Sequence, residues 1–207
     1  MSWENVRQQM ISIAKQEFEV TWNKGTKKEN DMQARIREYW QQGVYKSVSV
    51  PEYITIPGSA WSAAFISWVV TQAGGGDRFG KVHDEPNYRN EFDKPAAHWR
   101  YTAPAKINRQ TSSAINPFWA FAIDEVRPQE GDIVVKSRNG SGATWNDFIS
   151  KETHGDIVID VSPTDITVIG GNVSDTVKQK TFPLNDNGFV NSTGGANTHF
   201  AIVRINI

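Results

Sequence analysis

From Ala60 to Ala73 the chain reads AWSAAFISWVVTQA, a helix-length segment that is apolar nearly all round. A helix with one polar stripe can lie on a surface, whereas one without a stripe must be surrounded. Residues 57–59, Pro-Gly-Ser, form a breaker ahead of it and offer Ser59 as a candidate N-cap, and the glycines at 74–76 stop it. The rest of the chain has to wrap around a central buried helix over 60–73.

The remaining periodicities say what does the wrapping. Val6, Met10, Ile13, Ala14 and Phe18 recur at three- and four-residue steps and predict an amphipathic helix over 3–20. After the polar NKGTKKEND, a second helical pattern runs through Ile36, Tyr39 and Trp40 and ends at Gly43. Residues 77–117 carry Pro86, Pro95, Pro104 and Pro117 with weak periodicity, which predicts loops, a short helix near 95–103 and another around 117–124. Beyond them the texture changes to short Val/Ile-rich runs at 132–138, 155–162, 165–172, 176–184 and 199–207, separated by Pro, Gly, Asn and Asp. Helices followed by strands predict an α+β fold with helices packed on one side of an antiparallel sheet. A chain of 207 residues is long enough for one sizeable core, so a single domain is expected, with a helical N-terminal part over 1–50 and the core over 55–207.

Charge and composition exclude several classes. With 22 basic and 23 acidic residues the net charge is -1, so nothing pulls the chain as a whole toward nucleic acid or anionic lipid. Cysteine is absent, which removes disulfides, thiolate metal sites and a cysteine nucleophile. The glycines lack phosphate-loop spacing and the Asp and His residues lack metal-ligand clustering, so neither a cofactor nor a metal is expected. The N-terminus has no signal-peptide core and no apolar run could span a bilayer, which predicts a soluble protein made in the cytoplasm without membrane insertion. Eight tryptophans are more than a chain of this size ordinarily carries, and some are expected to line a binding surface, Trp61 among them.

Ser62 stands at the mouth of the greasy helix. There it would lie near unpaired backbone N–H groups and the positive end of the helix dipole, a setting that stabilises a developing anion. A serine hydroxyl is a poor nucleophile without a base, normally histidine, oriented by a third polar group. The chain offers His83, His98, His154 and His199. His154 heads one strand, and Asn172 ends the next, so adjacent strands could join them into a Ser62–His154–Asn172 set, with His199 as the reserve base. His98 and Tyr101, in HWRY, are candidate cleft-wall groups. Asp156 lies two residues from His154 on the same strand face, where it could bond substrate, support the site or satisfy a turn, as Asp132 does in EGD.

Several of these stretches together resemble the papain-like cell-wall amidases and peptidases of the CHAP and NlpC type. AWSAAFISWVVTQAG is similar to their nucleophile helix, EVRPQEGDIVV to the entry into their first core strand, HGDIVIDV to their histidine strand and ITVIGGNVSDTV to the strand of their third polar residue. The likeness covers roughly residues 55–180, and is nearest to an uncharacterised bacterial relative with serine at the cysteine position and a downstream His-x-x-Tyr. It implies a papain-like fold, with Ser62 as nucleophile, His154 as base and Asn172 as orienting residue. Serine departs from the usual pattern, leaving three accounts: a native serine hydrolase, a binding module descended from an enzyme, or a cysteine enzyme inactivated by substitution. The implied activity is cleavage of an amide in peptidoglycan or its muropeptides, the sugar–peptide amide or a stem-peptide bond. A wall-cutting chain without a leader would reach the periplasm by non-classical export, as an interbacterial toxin with a secretion carrier and an immunity protein, or as a phage-type lysin.

Overall fold

A computed structural model describes residues 2–44, 59–82, 96–192 and 197–207. The chain runs through four α-helices, α1 (Trp3–Gln16), α2 (Gln33–Gly43), α3 (Ser62–Gln72) and α4 (Trp99–Gln110), and then six strands. These are β1 (Phe118–Ala122), β2 (Ile133–Ser137), β3 (Thr153–Val161), β4 (Asp165–Gly170), β5 (Lys178–Pro183) and β6 (His199–Ile205). They form one sheet in the order β1-β6-β2-β3-β4-β5, with every neighbouring pair antiparallel. The architecture is α+β, as expected.

α3 is the central helix. Every residue from Ser62 to Val70 is buried, which is what a segment with no polar face requires. α2 and α1 pack on it, and α3 in turn packs on β3 and β4. The predicted cap differs: Trp61 occupies the N-cap position and no side chain caps the helix, so Ser59 does not serve. α1 carries an N-cap bond from the Asn5 amide to the Ser2 hydroxyl and continues into a π-helical turn, Glu17–Thr21.

Strand alternation divides the sheet's two faces between two clusters. Ile133, Val135, Ile157, Ile169, Ala201 and Val203 join the helices in the main core. Val134, Val158, Ile166, Val168 and Ile202 point the other way and are covered by Ile123, Val190, Phe182 and Leu184.

Two expectations for the middle of the chain are corrected. The helix expected around 117–124 is strand β1, paired with β6 from Phe118↔Ile205 to Ala122↔Ala201. A short apolar run fits either structure by periodicity, and the aromatic FWAFA takes the one that completes the sheet. The helix expected near 95–103 is α4, which starts at Trp99 and continues through Pro104 to Gln110, buried along Tyr101, Thr102, Ala105 and Asn108. Burial outweighs the one hydrogen bond Pro104 cannot make. His83, Pro86 and Pro95 lie outside the described residues.

Candidate functional site

Ser62 is the first residue of α3, so its side chain sits against the helix's uncapped N-terminus. It is 3 % exposed and forms one wall of a cleft of about 480 Å³, together with His98, Trp99, Arg138 and Asn172. The Ser62 hydroxyl lies 2.8 Å from Nε2 of His98. Nδ1 of that ring lies 2.6 Å from the Tyr101 hydroxyl, one turn along at the start of α4. The Ser62 partner is therefore His98, where His154 was expected.

The Tyr101 hydroxyl assigns the His98 tautomer. Tyr101 is buried, and Nδ1 is the one hydrogen-bond partner of its hydroxyl among the described residues. Burial pushes the phenol well above its ordinary pKa, with the Asp156 charge adding to the effect, so it keeps its proton. A buried hydroxyl proton without an acceptor costs about 1–3 kcal/mol, so Tyr101 donates to Nδ1. The ring proton is then on Nε2 and is donated to Ser62 Oγ. Burial, and after it the neighbouring His154, holds His98 well below its ordinary pKa, which keeps the ring neutral in this arrangement. His98 thus fixes the serine oxygen and leaves the hydroxyl proton for another acceptor.

His154 stands beside His98, the two ring centres 5.6 Å apart. Its Nε2 lies 2.8 Å from Oδ1 of Asp156. The sequence pattern foresaw a shared strand face for these two residues, and the bond joins them across it. Asp156 is 1 % exposed, and burial alone would raise its pKa. His154 beside it and Lys136 Nζ at 3.6 Å outweigh burial and keep the carboxyl well below its ordinary range. An ionised Asp156 accepts from His154 Nε2–H and leaves the lone pair on Nδ1.

Two glycines make this crowding possible. A Cβ on Gly155 would collide with the Tyr101 hydroxyl and His98, and one on Gly170 would collide with Asp156. The first sets His98–Tyr101 against one face of β3, while the second leaves room for Asp156 on the other.

Asn172 has a different place from the one expected. It sits in a left-handed turn (φ 57°) just after β4, and its side-chain amide donates to the Ser59 carbonyl at 3.2 Å. It braces the segment entering α3 and lines the cleft, while Asp156 holds the histidine. Trp61 is also corrected. It is 1 % exposed, its ring stacks on Trp22 at 5.1 Å and its Nε1 donates to Glu29, so it belongs to the core and presents no surface to a ligand. Trp22 in turn donates to the Tyr39 hydroxyl, which donates to the buried Glu17 that Arg35 neutralises. His199 lies at the head of β6, on the sheet face away from the helices with Phe182, and Ser62 has no bond to it.

Lys136, Arg138 and Lys180 were missed. They frame a smaller pocket of about 210 Å³ that His154 and Asn172 also line. The signal was present in Lys136 of VVKS and Lys180 of KQKTF, which strand alternation and register put on the face of His154. Among the described residues no group of three or more His, Asp or Glu side chains could hold a metal ion, and no helix is long and apolar enough to cross a membrane.

No curated protein and no solved structure matches the chain. A family profile does, over residues 2–201 and so over nearly the whole length. The chain belongs to that family, described as an uncharacterised protein conserved in bacteria (DUF2272).

Proposed function

We propose that this protein is a serine hydrolase that opens amide bonds of bacterial peptidoglycan by acyl transfer through Ser62. The observation that carries the reading is the Ser62 hydroxyl, held 2.8 Å from His98 Nε2 at an uncapped helix N-terminus in a cleft of about 480 Å³. The adjoining His154–Asp156 pair supplies the base. The order of elements, a buried helix opening on the nucleophile and then an antiparallel sheet carrying the histidine, supports a papain-like core. The substrate class comes from the resemblance to the CHAP and NlpC-type amidases.

In this mechanism Ser62 Oγ attacks the amide carbonyl carbon as its proton passes to Nδ1 of His154, directly or through one water. The imidazolium is stabilised by the Asp156 carboxylate. The carbonyl oxygen gains negative charge and is stabilised by the free N–H groups at the start of α3. His154 then protonates the departing amine, the C–N bond breaks and an ester to Ser62 remains. Water, deprotonated by His154, attacks that ester, and the serine oxygen leaves with the proton.

The experiment is release of soluble muropeptides from purified peptidoglycan by wild type, Ser62→Ala and His154→Ala. Wild type should release them and each variant should lose about 10³-fold or more in rate, with the fold retained. Equal inertness of all three on every wall preparation, with binding intact, would overturn the hydrolase and leave a wall-binding module. Activity that rises steeply in Ser62→Cys would instead assign the site to thiolate chemistry.

A further inference from the structure

Beside the cleft, the sheet face turned away from the helices holds a concentration of positive charge of which the proposed chemistry at Ser62 uses only Lys136, beside Asp156. Lys136 on β2, Lys180 on β5 and Arg138 just past β2 surround the pocket of about 210 Å³. One carboxylate, Asp156, approaches them, and it is already bonded to His154 and 3.6 Å from Lys136. Arg138 and Lys180 have no carboxylate partner among the described residues, and both are only half-buried. Lys136 Nζ rests over the Phe182 ring at 4.8 Å, fixed in place. Burial, then repulsion from Lys136, lowers the pKa of Lys180 against the opposing pull of Asp156.

The pocket is continuous with the cleft. Arg138, Asn139 and Asn172 line both cavities, and His154 forms part of the smaller one. Glu152 and Asp175 line the larger cavity and not the smaller one, whose lining holds no carboxylate among the described residues. An anion in the smaller pocket would sit beside the base that serves Ser62, and ammonium and guanidinium groups bind a carboxylate through charge-assisted hydrogen bonds.

We propose that this pocket is a carboxylate subsite, and that the substrate is an acidic peptide with a free carboxylate near the amide that Ser62 attacks. The substrate assignment rests on Ser62 being the nucleophile; the subsite itself does not. The carboxylate could be a side chain or a chain end, and the two are separable.

The test is an NMR titration of Ser62→Ala protein, which cannot turn substrate over. Three synthetic peptides serve as probes: Ac-Ala-D-Glu-Ala-NH2 with a side-chain carboxylate, Ac-Ala-D-Gln-Ala-OH with a terminal one and Ac-Ala-D-Gln-Ala-NH2 with neither. At least one of the charged peptides should bind about tenfold or more tightly than the neutral one, and the preferred one names the source. Adding Arg138→Gln and Lys180→Gln, both half-buried, should abolish the preference, read within the double variant so that any loss Arg138 causes in the cleft falls on all three peptides alike. Equal binding of all three peptides, or a preference that survives the double change, would overturn the subsite. Carboxylate-selective binding with an inert wild type would sink the hydrolase reading alone, and wall hydrolysis without carboxylate preference would sink the subsite alone.

Discussion

A buried phenol needs an acceptor, and at Tyr101 that need decides what His98 can do. Because Tyr101 donates to Nδ1, His98 presents an N–H to Ser62, and in the proposed mechanism it positions the serine oxygen without receiving its proton. In ¹⁵N-detected histidine spectra, His98 should be the neutral Nε2–H tautomer in wild type. Tyr101→Phe should release the ring to a mixture of tautomers, lower muropeptide release about tenfold and cost about 1 kcal/mol of stability. A neutral Nδ1–H ring in wild type would make His98 the base instead. At this scale much of the site was legible: Ser62 at the mouth of a helix, His154 and Asp156 on one strand face, and His98 and Tyr101 one helical turn apart. Which histidine meets Ser62 was not, because that contact joins α3 to a helix 36 residues onward and no local pattern records it. Asn172 misled because its left-handed backbone makes it a turn residue whose amide points back to Ser59.

Among the elements, those with a single clear period were readable. α2 ends at Gly43 as its pattern implies, and α3 spans Ser62–Gln72 inside the segment expected over 60–73, starting two residues later. Five of the six strands fall within or across the predicted runs, although β3 starts two residues earlier, at Thr153, and so takes His154 into the sheet. The failures have physical causes. FWAFA is too short for its period to separate helix from strand, and what settles it is β6, which lies about 80 residues away in the chain. Pro104 reads as a breaker, yet α4 passes through it because Tyr101, Ala105 and Asn108 are buried. The polar-looking EFEV was given to the first helix with no hint that Glu17 would be buried. Its carboxylate is held by Arg35 and Tyr39, contributed by α2, and the resulting network supports the Trp22–Trp61 stack directly behind Ser62.

The whole molecule sets helices on one sheet face and, on the other, an apolar cluster beside the buried polar group of Lys136, His154, Asp156 and His199, and acid acts on that polar group. Burial, followed by Lys136, lowers His199 from its ordinary 6.5 to about 4, and burial, followed by His154, also holds His98 well below its ordinary value. Between about 4 and 6.5 the unfolded chain binds a proton at His199 that the folded protein does not, and the lowered His98 acts in the same direction, so this pair makes stability fall as pH drops below 6.5. For His199 the loss levels off near pH 4 and totals on the order of 3 kcal/mol. Urea titrations from pH 8 to 4 should show this decline, with a shallower slope in His199→Gln; a stability independent of pH over that range would contradict it. The central claim concerns a single oxygen, and the most direct measurement is covalent labelling with a fluorophosphonate followed by intact-mass analysis and peptide mapping. The account predicts one adduct, on Ser62, absent in Ser62→Ala and formed at least about 100-fold more slowly in His154→Ala. A wild-type protein that stays unlabelled, or that labels at Ser62 just as fast without His154, would contradict it.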